Sequence, residues 1–161
     1  IKYVKKNNLI VIFLNIPKYI SEKYANATIV CHETRVILDS HLYKKLKKPI
    51  IMPKNNFDKL IKNDLKKSLI FDYALNIDEN KYVIKPNYCI ISKPIVASYA
   101  FAFVTQANAK RIFIAGFDGY DEDDYRYDEM TNIFKEYRGY KKSKKIFSLT
   151  PTKYKIEKII L

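Results

Sequence analysis

Two of the three glycines in this chain stand three residues apart, in the segment Gly116-Phe117-Asp118-Gly119-Tyr120. Glycine enters the left-handed backbone region without steric cost, so this spacing predicts a tight turn or a close approach of the backbone to a ligand. The carboxylate of Asp118, between the glycines, can accept hydrogen bonds from ribose or sugar hydroxyls. The alternative interpretation is an ordinary turn in which Asp118 caps the following segment.

Polar side chains also follow other apolar, strand-like runs of the sequence. Asn15 follows the run 9–14, His32 follows the run 28–31, and Ser92 ends the run that begins at Cys89. Ligands bind beyond the carboxyl ends of the strands in open α/β sheets. The predicted ligand-binding residues are therefore Asn15, His32, Ser92, Gly116, Asp118, Gly119 and Tyr120. No catalytic residue is assigned; His32, beside Glu33, is the candidate base, and a simple helix-capping role is its alternative.

Several common chemistries have no counterpart in this sequence. The first apolar run ends in Leu14-Asn15-Ile16-Pro17, with no glycine-rich phosphate loop, so we expect no tight binding of ATP or NAD. There is no serine elbow. His32 and His41, the only histidines, lack metal-binding spacing, and the acidic run 121–124 lacks a calcium-loop pattern. We expect no cofactor and no metal, and a solvated acidic loop with Asp124 or Asp128 at the start of the next helix.

Length and composition indicate one globular domain. The chain has 161 residues, of which 48% are hydrophobic, and no apolar run approaches the roughly 20 residues that span a bilayer. Cys31 and Cys89 both lie in apolar runs, which predicts buried, reduced thiols and a cytoplasmic location. The abrupt start at Ile1 suggests an excised part of a longer protein.

The charge of the chain is unevenly distributed. The net charge is +13, yet residues 116–139 hold eight of the 17 acidic residues and only three basic ones, which gives this stretch −5 and leaves +18 for the rest. The lysines are dispersed and there are only four arginines, whereas specific readers of nucleic acids rely on arginine forks and exposed aromatic residues. We expect any DNA binding to be weak, non-specific and salt-sensitive.

Apolar runs alternate with helix-like segments along the chain. Such alternation predicts a Rossmann-like, three-layer α/β domain with a mainly parallel sheet, formed by the whole of 1–161. Strands 9–14, 28–31 and 111–115 are expected to lie close together in that sheet because each is a two-sided apolar run. Helices are predicted over 35–46, from an N-cap at Asn55-Asn56 to Leu65, over 95–108 and over 125–137.

The segment Tyr99–Tyr137 resembles a known kind of domain. Its most characteristic parts are Ala100-Phe-Ala-Phe-Val, Ala109-Lys-Arg-Ile-Phe-Ile-Ala-Gly-Phe-Asp-Gly-Tyr120 and Asp128-Glu-Met130. They resemble the C-terminal Rossmann-like extension of bacterial aldolase-like proteins, the hydroxymethylglutaryl-CoA lyase and 4-hydroxy-2-oxovalerate aldolase homologues of surface-polysaccharide biosynthesis. The similarity covers about forty residues. More distantly, the buried helix, strand and Gly-Phe-Asp turn are similar to bacterial sialyltransferases and to motif-associated flagellin-glycosylation proteins.

The resemblance implies an accessory domain whose partner is a catalytic barrel of the parent protein. That domain would bind a sugar-related or nucleotide-related ligand, or the barrel itself, and the lyase's metal site would lie outside this segment. The alternative is a glycosyltransferase-like domain that uses a nucleotide sugar, although Asn15-Ile16-Pro17 stands where those enzymes have a glycine-containing loop. A binder of nucleic acid or of an anionic surface is the third interpretation.

Overall fold

A computed structural model of the chain describes residues 2–17, 20–58, 61, 65 and 68–159. The chain divides into two compact units, Ile1–Ala100 and Phe101–Leu161. In both, short apolar strands alternate with helices, and most strand pairs are parallel. This mixed α/β architecture with mainly parallel sheets confirms the predicted Rossmann-like class. The assignment of the whole chain to one domain stays a prediction.

The first unit contains two sheets. One has the order β1-β2-β3-β4 and is entirely parallel; the other has the order β5-β7-β6, with β5 parallel and β6 antiparallel to β7. The strands are β1 (Ile12–Leu14), β2 (Ala27–Ile29), β3 (Ile50–Met52), β4 (Ile70–Asp72), β5 (Ala74–Ile77), β6 (Val83–Ile84) and β7 (Tyr88–Ile91). The helices are α1 (Lys2–Lys6), α2 (Glu33–Leu38), α3 (Ser40–Tyr43) and α4 (Val96–Gln106), within which the division between the units falls.

The core of the first sheet lies around its central strands. All residues of β2 and β3 are buried, as expected for parallel strands that are covered on both faces. A cluster of buried side chains from β3, α2 and α3 packs there, including Ile50, Met52, Val36 and Tyr43. Helix α4 is buried over Ala97–Ala102, which agrees with its almost uniformly apolar sequence.

One strand and one helix predicted for the first unit need correction. The strand predicted over 9–14 is limited to Ile12–Leu14, and its side chains are only half-buried because β1 lies at the edge of its sheet. The helix predicted over 35–46 is two short helices, interrupted at Asp39 with φ −107° and ψ 22°.

Asn55 and Asn56 do not cap a helix. They belong to a 3-10 turn (Lys54–Asn56), and both side-chain amides donate to the carbonyl oxygen of Leu75. The rest of the helix predicted up to Leu65 lies largely outside the described residues.

The second unit has one parallel sheet of order β10-β9-β8. It is formed by β8 (Ile112–Ile114), β9 (Ile146–Ser148) and β10 (Glu157–Lys158), and α5 (Tyr125–Gly139) connects the first two. Of the predicted apolar face of α5, Ile133, Phe134 and Tyr137 are buried. The expectation that β8 shares one sheet with β1 and β2 is wrong, because β8 pairs with β9 in this separate sheet.

None of the helices in the described part of the chain has the length and apolar character needed to cross a lipid bilayer.

Candidate functional site

The Gly116–Tyr120 segment follows β8 and lies at the carboxyl edge of the second unit's sheet. Its neighbour there is the segment after β9, because parallel strands end at the same edge. Two hydrogen bonds join the segments: the Gly116 N–H donates to Thr150 Oγ1 at 3.0 Å, and the Lys153 N–H donates to the Asp118 carbonyl oxygen at 2.9 Å. The backbone of the loop is therefore held in place by the segment that follows β9.

Both glycines of the loop have the left-handed conformations that their spacing predicts. Gly116 has φ +74° and Gly119 has φ +97°. A Cβ atom on Gly119 would lie 2.8 Å from the Cβ of Lys153 and 3.3 Å from its backbone nitrogen, whereas a Cβ on Gly116 would meet nothing within 4 Å. Gly119 is therefore required for the close approach of two backbone segments as well as for the turn.

Asp118 is exposed, and its carboxylate makes no hydrogen bond or ion pair with any described residue. Its backbone carbonyl, in contrast, is bound to Lys153. An Asp118 that capped its own turn would direct its carboxylate at neighbouring amides. The structure shows no such bond among the residues it describes, so the carboxylate is available to an external donor.

Tyr120 carries a cation on one face of its ring. The guanidinium of Arg126 lies 4.2 Å from the ring centroid, and the same guanidinium binds both carboxylate oxygens of Asp124. The Lys153 ammonium pairs with the Asp121 carboxylate. Sequence reasoning missed Thr150, Lys153 and Arg126. The strand-end rule, applied to the run 144–149, would have found the first two.

The acidic run 121–124 behaves as the solvated loop that the sequence predicts. Asp124 is the N-cap of α5, and its side chain accepts a hydrogen bond from the Arg126 N–H at 2.9 Å. The Arg126 side chain, followed by this backbone N–H, holds the pKa of Asp124 below its ordinary value. Within the described residues, no group of three or more potential ligands could hold a metal ion.

Asp124→Asn is expected to make the stability of the protein less dependent on pH in the acidic range. Because the folded pKa of Asp124 is depressed, its stabilising effect is complete above the unfolded value of about 3.9 and is lost as pH falls through the folded pKa. Asparagine keeps the N-cap acceptor but, being uncharged, cannot form the ion pair with Arg126. Thermal denaturation followed by circular dichroism should show a smaller drop in Tm on acidification than in the wild type. Asp123→Asn, an exposed neighbour, is the control, and an unchanged slope in Asp124→Asn would contradict the assignment.

Three predicted site residues, Asn15, His32 and Ser92, belong to the first unit. Asn15 ends β1 with φ +60°, and its N–H donates to the Ile29 carbonyl oxygen of β2 at 2.9 Å. His32 is exposed at the N-cap position of α2 but makes no side-chain capping bond. Ser92 follows β7 and is half-buried. All three therefore lie at carboxyl ends of strands, as the sequence predicts.

Cys31 links two of these strand ends. Its thiol donates to the Pro94 carbonyl oxygen at 3.2 Å, which places the segment that contains His32 beside the segment that contains Ser92. Burial raises the pKa of the Cys31 thiol to about 12, and burial likewise raises the pKa of Cys89 to about 12. Neither thiol has the depressed pKa of a reactive cysteine.

Both cysteines are expected to resist alkylation in the folded protein. The thiolate is the reactive species, and a pKa of about 12 leaves almost none of it near neutral pH. Iodoacetamide at pH 8 should leave both cysteines unmodified by intact-mass analysis and should add two labels once the chain is unfolded in urea. Rapid single labelling of the folded protein would show that one thiol is accessible.

The first unit contains a small cavity beside α2. It has a volume of about 90 Å³ and is lined by Val36, Ile37, Ser40, Ile61 and Leu65. Pockets that enclose small ligands usually measure roughly 300–1,000 Å³. This cavity is therefore too small to enclose a sugar or a nucleotide.

The second unit's loop thus combines a backbone held by hydrogen bonds, an exposed carboxylate and an aromatic ring. This arrangement can orient hydroxyl groups, but it has no nucleophile paired with a base in the described residues. Comparison of the chain with protein-family models, with curated proteins and with solved structures found no match.

Proposed function

We propose that this chain is an accessory domain that binds a sugar-related ligand through the Gly116–Tyr120 loop and serves an aldolase-like enzyme of carbohydrate biosynthesis. The observation that carries the proposal is the Asp118 carboxylate, exposed and without a partner among the described residues, on a loop fixed by Thr150 and Lys153. The wider role rests on the resemblance of Tyr99–Tyr137 to the C-terminal extension of aldolase-like proteins.

A carboxylate in this position suits vicinal hydroxyls. Its two oxygens can each accept a hydrogen bond, and charge-assisted bonds are about twice as strong as neutral ones. Because hydrogen bonds already hold the loop at the Gly116 N–H and at the Asp118 carbonyl oxygen, little conformational entropy is lost when a ligand binds. Tyr120, on the same loop, is 37% exposed and offers an apolar surface.

The charges around the loop favour a neutral sugar over a phosphorylated one. Asp118 is followed by the acidic run 121–124, in which, among the described residues, Asp121 pairs with Lys153 and Asp124 with Arg126. Glu122 and Asp123 are exposed. A pyrophosphate placed here would meet like charges, which is unfavourable. The glycosyltransferase alternative therefore gains no support from this loop.

In the accessory role, the residues of the loop would bind and orient hydroxyl groups. The lyase's metal site would lie in a separate catalytic barrel. The first unit's strand-end residues, Asn15, His32 and Ser92, provide a second polar surface for a ligand or for the barrel.

The test is an NMR titration of isotopically labelled protein in which amide chemical shifts are monitored. The ligands are three neutral monosaccharides, glucose, galactose and N-acetylglucosamine. UDP-glucose is titrated separately. We expect at least one neutral sugar to shift the amides of 116–120. Asp118→Asn should weaken that binding by about 1.5–3 kcal/mol while Tm stays unchanged, because the lost bond is charge-assisted and external.

Asp123→Asn is the matched control, since it removes one carboxylate from the same acidic stretch without touching the glycine loop. It should bind like the wild type. The proposal fails if no neutral sugar perturbs the loop, or if Asp118→Asn lowers Tm and leaves binding intact. Tight binding of UDP-glucose would favour the glycosyltransferase alternative instead.

A further inference from the structure

Helices α2 and α3 direct the same side at the core of the first unit. Val36 of α2 and Tyr43 of α3 both belong to the buried cluster, and Leu46 packs against it. Since seven residues make about two helical turns, Val36 and Tyr43 lie on one side despite the interruption at Asp39. The exposed residues of the opposite side, which we call the outer face, are Ile37, Leu38, His41, Leu42, Lys44 and Lys45.

Aliphatic side chains make up half of the outer face. Ile37 is 55% exposed, Leu38 is 67% exposed and Leu42 is 39% exposed. Leu38 and Leu42 are four residues apart, which is the spacing of neighbours on a helix surface, and Ile37 precedes Leu38 directly. A single exposed aliphatic residue is ordinary, whereas a group of them marks a surface that binds a protein or a membrane.

A run of lysines continues from the outer face. The four exposed lysines of this run are Lys44, Lys45, Lys47 and Lys48. The segment 35–48 has five basic residues and one acidic residue, Asp39, so its net charge is +4 with histidine neutral. Asp39 lies 3.9 Å from Arg35, and the Glu22 carboxylate, from outside the segment, accepts hydrogen bonds from the backbone of residues 47 and 48. An apolar surface and a positively charged one therefore adjoin here.

We propose that the outer face binds the surface of an anionic lipid bilayer. The aliphatic side chains enter the boundary between headgroups and acyl chains, and the lysines contact lipid phosphates. Lysine suits this position because its aliphatic stem lies along apolar surface while its ammonium stays in water. Each lysine near an anionic surface raises the affinity about fivefold, and each methylene that enters the boundary raises it about fourfold. The binding is peripheral and does not depend on the proposed sugar site.

The side chains of the outer face favour a bilayer over a nucleic acid. Nucleic acids are bound by arginine forks and by aromatic rings that stack on bases, whereas this face combines lysines with aliphatic residues. A second lysine cluster in the chain provides a contrast. Lys141 and Lys142 are exposed as well, but no large hydrophobic side chain between 126 and 159 is exposed. Positive charge and exposed aliphatic surface thus coincide on the outer face and not around that second cluster.

Flotation with lipid vesicles tests the proposal. The wild type should bind vesicles of phosphatidylcholine mixed with phosphatidylglycerol, and it should bind phosphatidylcholine alone far more weakly; added salt should weaken the binding to mixed vesicles. Leu38→Gln should lower the affinity for mixed vesicles on the order of tenfold, because an amide replaces the most exposed aliphatic side chain of the face. Ile77→Gln, at a 46% exposed residue that ends β5, is the control and should bind like the wild type.

Paired lysine variants separate a local surface from the overall positive charge. Replacing Lys44 and Lys45 together by Gln should lower the affinity about 25-fold, whereas the same replacement of Lys141 and Lys142 should have little effect. Circular dichroism should show unchanged melting, since all four positions are exposed. A wild type that ignores mixed vesicles, a Leu38→Gln variant that binds them fully, or equal losses from the two lysine pairs would each overturn the proposal. Binding to a DNA duplex but not to vesicles would identify a nucleic acid as the partner instead.

Discussion

Phe134→Ala is expected to lower the free energy of unfolding by about 3–5 kcal/mol, the cost of deleting a buried aromatic ring and leaving a cavity. Phe134 is 2% exposed. Its ring centroid lies 5.7 Å from that of Phe101, 5.3 Å from that of Tyr154 and 6.4 Å from that of Phe117. Typical domains have only about 5–15 kcal/mol of stability, so this loss approaches unfolding.

Urea denaturation followed by circular dichroism measures the effect of Phe134→Ala. Tyr125→Ala is the matched control, because Tyr125 is an aromatic residue of the same helix but is 77% exposed. Its replacement should change stability by no more than about 0.5 kcal/mol. Equal losses in the two variants would mean that the aromatic cluster does not hold α5 against its sheet.

Gly119→Ala is expected to destabilise the protein by about 2–6 kcal/mol. The added Cβ would stand 2.8 Å from the Cβ of Lys153, and the φ of +97° is strained for any residue with a side chain. A strained backbone residue costs about 1–3 kcal/mol and overpacking costs about the same again. The hydrogen bond from Lys153 N to the Asp118 carbonyl oxygen should break as the segments separate.

Gly116→Ala separates these two costs. Gly116 also has a positive φ, of +74°, but an added Cβ would meet nothing within 4 Å. Gly116→Ala should therefore lower the stability only by the cost of the backbone strain, about 1–3 kcal/mol. Chemical denaturation of both variants, with amide shifts of 118 and 153 as a local probe, measures the difference. If Gly116→Ala costs as much as Gly119→Ala, the close contact with Lys153 is unimportant.

The local features of the second unit were predictable from sequence. The apolar spacing of α5, the strand before the loop and the positive φ of both glycines all depend on residues close together in the chain. The anchors of the loop were not predictable in the same way. Thr150 and Lys153 reach it from a segment more than thirty residues later, and only the pairing of β8 with β9 brings them there.

The first unit shows the same limit. A continuous apolar run at 9–14 predicts a strand, but whether that strand is central or at an edge depends on the order of the sheet, which the run itself does not contain. The helical spacing over 35–46 likewise gives no indication of the interruption at Asp39. The sequence correctly predicts that Asn15, His32 and Ser92 follow strands, because the end of an apolar run can be read from the sequence. The contact from the Cys31 thiol to the Pro94 carbonyl oxygen cannot be read in this way.

The parallel pairing of β8 and β9 also determines when the loop can form during synthesis. Ile112 pairs with Ile146, so β8 leaves the ribosome well before its partner strand does. Lys153, which contacts Gly119 and binds the Asp118 carbonyl oxygen, follows β9. A nascent chain that stops before 153 lacks both contacts. The Gly116–Tyr120 loop therefore cannot reach its final arrangement until translation has passed residue 153.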